Sequence, residues 1–197
     1  METGSLSEQF DPDKRIEPSN ELGKLDGKKE RFNPDKRIET GVAKYQNECI
    51  KQAEKTGLDK LDPQARGNYA EMKVDRDMSN KGYERLSIDC VRDLKTPTGP
   101  GIDGVYRNSK TGEIKIVETK FNKSELGDTT DGKQMSDNWI DKRLDAAVGK
   151  DMADEIRLNK LIDPDSVKSV LARVDLNGEI KYSELDSNAN KKGDIKV

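Results

Sequence analysis

Three residues of this 197-residue chain are spaced so that they could hydrolyse a phosphodiester: Asp103, Glu118 and Lys120. Residues 102–107 and 113–121 each read as a strand, and Asn108-Ser109-Lys110-Thr111-Gly112 reads as the turn between them. With a four-residue loop over 109–112, Asn108 faces Glu113. The same register sets Asp103 opposite Glu118 on one face, with Cβ atoms about 5 Å apart. Lys120 follows Glu118 by two positions, so strand alternation puts it on that face as well. Like charges opposite each other destabilise a sheet, and a divalent cation between them removes that cost. Two carboxylates completed by water and phosphate oxygens suit Mg²⁺ (or Mn²⁺). Such an ion polarises the phosphate and makes hydroxide accessible near neutral pH, while Lys120 holds the attacking water or offsets charge developing on the phosphate. The chain contains no His. That removes Ser-His-Asp and Cys-His catalysis, His-based zinc sites and His general bases together.

A short D…ExK pattern also arises by chance, and its plain reading is an exposed face with a cross-strand ion pair. Three features favour a site. The two acids fall in register on one hairpin. The loop before Asp103, Thr96-Pro97-Thr98-Gly99-Pro100-Gly101, is stiff and Gly-rich and lets a ligand approach. Polar residues also lie on both flanking helices. Glu71 on the first is a candidate third metal ligand, or a solvated helix carboxylate. Gln134 and Lys133 open the second, where free N–H groups and the dipole attract phosphate. Alternatively this is an ordinary helix start capped by Ser136 or Asp137. Trp139 is expected in the core rather than as a stacking platform.

The elements that must carry these residues follow from periodicity. Residues 41–56 read as a helix with Val42, Tyr45, Cys49 and Ala53 on its stripe and Gly57 as its cap. Leu61-Asp62-Pro63 breaks the chain. Residues 65–80 read as a helix striped by Ala70, Val74 and Met78, and residues 83–91 as a strand. Residues 136–148 form the best amphipathic helix, with Trp139, Ile140, Arg143, Leu144, Ala147 and Val148 on one side. A helix over 151–161 carries Met152, Ile156 and Leu161. Strands over 167–174 and 179–185 flank Asn177-Gly178, a hairpin signal. The tail from Ser187 is expected to fray. This order indicates an α/β (α+β) fold, a mixed central β-sheet flanked by helices.

Residues 1–40 are rich in Lys, Glu, Asp, Gly and Pro and read as a polar linker. Within them residues 10–17 (FDPDKRIE) recur as residues 32–39 (FNPDKRIE), a turn dipeptide between apolar anchors in each copy. Linker duplication and a docking tag for a delivery partner are the two readings. Residues 41–63 follow as a helical connector, and the catalytic domain is expected over 64–197.

Apolar residues make up 31% of the chain, charged residues 38%, and the formal net charge is −3. A passive nucleic-acid coat is usually basic, so the charge counts against one. It counts less against a nuclease, whose bound cations add positive charge. No apolar run approaches the roughly 18 residues of a membrane-spanning helix, and no h-region marks a secretory signal. Cys49 and Cys90 fit no CxxC pattern; two partly buried free thiols are expected, with a disulfide left open.

Asp103 followed by Glu118-Thr119-Lys120 resembles the D…(D/E)xK signature of the PD-(D/E)XK nuclease superfamily. An ordered set of segments extends the likeness over residues 64–186: Arg66-Gly67-Asn68-Tyr69-Ala70-Glu71-Met72-Lys73, Gly82-Tyr83, Gly101-Ile102-Asp103-Gly104-Val105-Tyr106, Glu118-Thr119-Lys120-Phe121, and Asp131-Gly132-Lys133-Gln134-Met135-Ser136-Asp137-Asn138-Trp139-Ile140. Together they resemble bacterial polymorphic-toxin nucleases, in particular the polymorphic nuclease effector DNases. The superfamily's Pro directly before the Asp is replaced by Ile102, with Pro100 nearby. The resemblance implies a restriction-endonuclease-like core and a metal-dependent DNase delivered into a rival bacterium, where it acts in the cytoplasm. A cognate immunity protein would neutralise it, and residues 1–60, outside the likeness, would be its upstream linker or the end of a delivery region. Glu71, Asp103 and Glu118 would hold the metal, with Lys120 and Gln134 completing the catalytic set. The alternatives are an RNase toxin of the same fold and a non-catalytic protein that retains it.

Overall fold

The computed structural model describes residues 34–97 and 99–197. Helices α1 (Pro34–Thr56) and α2 (Pro63–Asn80) precede three strands, β1 (Tyr83–Arg85), β2 (Gly104–Asn108) and β3 (Ile114–Phe121). A small hairpin of β4 (Asp128–Thr129) and β5 (Gly132–Lys133) leads to α3 (Asp137–Val148) and α4 (Lys150–Ile162). Strands β6 (Val167–Val174), β7 (Ile180–Leu185) and β8 (Lys191–Ile195) complete the chain. The main sheet runs β1-β2-β3-β6-β7-β8. Only β3 and β6 pair in parallel; the other neighbours are antiparallel. A parallel pair needs a long crossover, which α3 and α4 supply. The fold is therefore the mixed sheet flanked by helices that the sequence implies.

Strand alternation divides the core. Tyr106, Val117, Phe121, Val170, Ala172 and Val174 point to the side of α1 and α2, packing on Ile50, Ala53, Tyr69, Met72, Val74 and Met78. Val105, Ile114, Ile116, Val167 and Leu171 point the other way, against Trp139, Ile140, Leu144, Val148 and Ile156. A strand covered on both faces carries a near-continuous apolar run, and β3 is buried from Ile114 through Glu118.

Several expectations need correction. Helix α1 starts at Pro34, not near 41, so residues 34–39 of the duplicated segment are helical here. Proline at a first helical position loses no hydrogen bond. The rest of the duplication lies outside the described residues. The buried stripe of α1 is Gln46, Ile50 and Ala53, while Tyr45 is half exposed. The 41–63 connector is thus part of one compact unit running from Pro34 to Val197. At its end, Asp62 caps α2 by accepting from Ala65 N at 2.8 Å. On α4, Ala153 and Ile156 are the buried positions, and Leu161 is 81% exposed.

The strand expected over 83–91 stops at Arg85. Beyond it, side-chain amides take the chain's carbonyls: Gln46 Nε2 donates to Val91 O at 2.6 Å, and Asn68 Nδ2 donates to Asp93 O and Thr96 O at 3.1 and 2.8 Å. The loop is built from helix side chains rather than a ladder. The tail is not frayed, since β8 pairs with β7. Cys49 and Cys90 are free and partly buried. Among the described residues no helix is long and apolar enough to cross a membrane.

Candidate active site

The β2–β3 hairpin has the register the sequence implies. Gly104 pairs with Val117, Val105 with Ile116, Tyr106 with Lys115 and Arg107 with Ile114. Asn108 N donates to Glu113 O at 2.8 Å. Asp103 lies one residue beyond the last pair, facing Glu118. Its carboxylate takes over where the ladder ends: Thr119 N donates to Asp103 Oδ2 at 2.8 Å.

Glu118 is 2% exposed. Its Oε1 accepts from Lys120 Nζ at 2.9 Å and from Gln134 Nε2 at 2.5 Å. Its Oε2 is buried and has no hydrogen-bond partner among the described residues. Glu71 on α2, Asp103, Glu118, Lys120 and Gln134 line one cleft of about 760 Å³. The site residues named from the sequence therefore meet, with one exception. Lys133, raised as a phosphate contact, lines a separate groove with Asp131, Ser136 and Ser187. Ser136 occupies the N-cap of α3, yet its hydroxyl makes no capping bond.

Burial is the first cause that raises the carboxyls of Asp103, Glu118 and Glu71 above their usual range. The Asp103 charge pushes Glu118 up further, and Asp103 and Glu118 together push Glu71 up. Thr119 N–H, Lys120 and Arg85 pull Asp103 back; Lys120 and Gln134 do the same for Glu118. Three acids sharing a water-poor corner with too little opposing charge is an arrangement a divalent cation relieves. Among the described residues no three His, Cys, Asp or Glu side chains are already gathered as a metal cluster. The fit to a hard cation rests on the all-oxygen donor set and on the unpartnered Glu118 Oε2, since a buried acceptor left unpaired is costly.

Some residues at the site have no local sequence signal. Trp139 is in the core as expected, yet it also lines the cleft, and the Arg143 guanidinium stacks on its ring at 4.4 Å from the centroid. Arg143 also pairs with Asp131 on the β4–β5 turn at 3.1 Å. With Glu71 and Asp103 it borders an adjoining cleft of about 550 Å³. Arg85, hidden inside the strand expected over 83–91, donates to Asp103 O at 2.7 Å. Only an Arg placed in an otherwise half-buried strand hinted at it. No family model, no curated protein and no solved structure matches this chain.

Proposed function

We propose that this protein is a divalent-cation-dependent endonuclease that hydrolyses DNA. The observation that carries the reading is the convergence of Glu71, Asp103, Glu118 and Lys120 in one cleft, with Glu118 Oε2 buried and unpartnered. Asp103, Glu118 and Glu71 would hold Mg²⁺ (or Mn²⁺). When bound, the ion supplies Lewis acidity to the phosphate and lowers the pKa of a coordinated water.

The chain's own residues do the remaining work. Gln134 and Lys120 occupy Glu118 Oε1, which fixes the carboxylate and leaves Oε2 as the oxygen available to a ligand. Thr119 N–H orients Asp103. Lys120 retains donors beyond its bond to Glu118, so it can hold the attacking water or a phosphate oxygen in line with the scissile bond. These roles need no histidine, and the chain has none. The ordered motif set adds the biological half of the proposal: a toxin of interbacterial competition, carried into a rival cell by a delivery partner and held in check by an immunity protein.

Supercoiled plasmid incubated with the protein and Mg²⁺ tests the reading, with an EDTA arm, an Asp103→Ala arm and total RNA in parallel. Wild-type protein should nick plasmid with Mg²⁺ and not with EDTA, and folded Asp103→Ala should be inert. Full activity in EDTA or in the variant overturns the site. Cleavage of RNA alone transfers the site to an RNase.

A further inference from the structure

The β2–β3 ladder ends at Gly104 and Val117, yet Asp103, one residue further out, faces Glu118. Something other than sheet pairing must hold it there. Arg85 supplies it. A guanidinium has five N–H donors, and Arg85 uses all five. Its Nε donates to Asp89 O at 3.1 Å. Its Nη1 donates to Asp75 Oδ1 at 3.1 Å and to the Tyr106 hydroxyl at 2.9 Å. Its Nη2 donates to Asp89 O at 2.6 Å and to Asp103 O at 2.7 Å. With no donor left for a phosphate, Arg85 is not a substrate contact.

The anchor behind it is rigid. Asp75, buried on α2, accepts on its other oxygen from Gln46 of α1 at 3.0 Å and from Arg76 at 3.2 Å. Tyr106 is buried on β2, directly beside Gly104. The guanidinium therefore joins both ends of the 86–103 loop to the sheet and to α2, and through Asp75 to α1.

We infer that Arg85 is a positioning residue: by clamping the Asp103 carbonyl to Asp75 and Tyr106, it sets the Asp103 carboxylate against Thr119 N–H and opposite Glu118. The consequence for cleavage rests on the nuclease reading; the consequence at Thr119 does not. Lysine at this place keeps the charge but reaches less far and cannot bridge several acceptors with a planar fork.

The test is Arg85→Lys in the full chain. Three readings are taken: hydrogen exchange at the Thr119 amide, Mn²⁺ affinity by calorimetry, and plasmid cleavage. In a folded variant, exchange at Thr119 should rise at least about tenfold while the amides of β6 stay protected. Mn²⁺ affinity and the cleavage rate should each fall on the order of 10–100-fold, the usual effect of removing a residue that orients a metal ligand. Tyr106→Phe, which removes one acceptor and no charge, carries the same readings at smaller amplitude should the lysine variant not fold. Unchanged protection at Thr119 overturns the clamp. Lost protection with wild-type cleavage and ion affinity overturns its catalytic consequence. A wild-type protein that cuts no nucleic acid, while Thr119 responds as described, sinks the nuclease reading and leaves the clamp standing.

Discussion

Replacing Glu118 by Gln separates the carboxylate's cost to the fold from its use to a cation. In the ion-free protein Glu118 is attracted to Lys120 at 2.9 Å and repelled by Asp103, which strand register sets about 5 Å away. With an effective dielectric constant of about 20, the attraction is about 6 kcal/mol and the repulsion about 3 kcal/mol. The desolvation of a buried carboxylate opposes the ionised form as well. Loss and relief nearly cancel, so Glu118→Gln should change stability by no more than about 2 kcal/mol, a Tm shift of at most about 8 °C for a chain this size. Mg²⁺ then distinguishes the two proteins. At a hundred times its Kd the ion stabilises the wild type by about 2.7 kcal/mol, a rise of about 5–11 °C, and the variant should gain almost nothing. Thermal melts with and without Mg²⁺ read both quantities. An equal Mg²⁺ shift in Glu118→Gln refutes the cation site. A variant unfolded in ion-free buffer refutes the charge balance.

Two further outcomes follow from the same geometry. A Cβ on Gly104 would lie 2.6 Å from the Tyr106 hydroxyl oxygen, and that ring is buried and held by Arg85. Gly104→Ala should therefore cost about 1–3 kcal/mol as an overpacked site, and an unchanged melting temperature would contradict it. Stability should also depend on pH. The folded-state pKa values of Glu71, Asp103 and Glu118 are raised, so their contribution is complete below the unfolded carboxylate values of roughly 4 and is lost as pH rises through the folded ones. Metal-free protein should melt lower at about pH 7.5 than at about pH 5, and Mg²⁺ should recover more stability at the higher pH. A melting temperature that rises over that range in metal-free buffer contradicts the assignment.

Much of the site was legible because it depends on short-range rules. Strand alternation and one turn length set which residues face each other, so they place Asp103, Glu118 and Lys120 on one face, and the observed pairs follow that register. The helices α2, α3 and α4 and the strands β6 and β7 were legible because apolar spacing and the Asn177-Gly178 turn are local signals. Periodicity failed where polar side chains replaced it. The stripe of α1 was misplaced by one position because its innermost residue is Gln46, buried to reach Asp75 and Val91. Residues 86–91 leave the strand because Ile88 N bonds to Ala147 O and Val91 O accepts from Gln46, partners distant in sequence that no local pattern reports. Strand β8 was missed because Lys191, Lys192, Gly193 and Asp194 carry no apolar alternation, and only pairing with β7 makes them a strand.

Residue identity and a two-residue repeat were enough to give the acids, the lysine, their register and the exclusion of histidine chemistry. Tertiary structure decided what holds them. Gln134 reaches Glu118 from the segment before α3, Glu71 reaches the cleft from α2, and Arg85 ties Asp103 to α2 and the sheet. Those contacts join groups 10 or more residues apart, and at such separations only packing of the helices on the sheet sets which side chains meet.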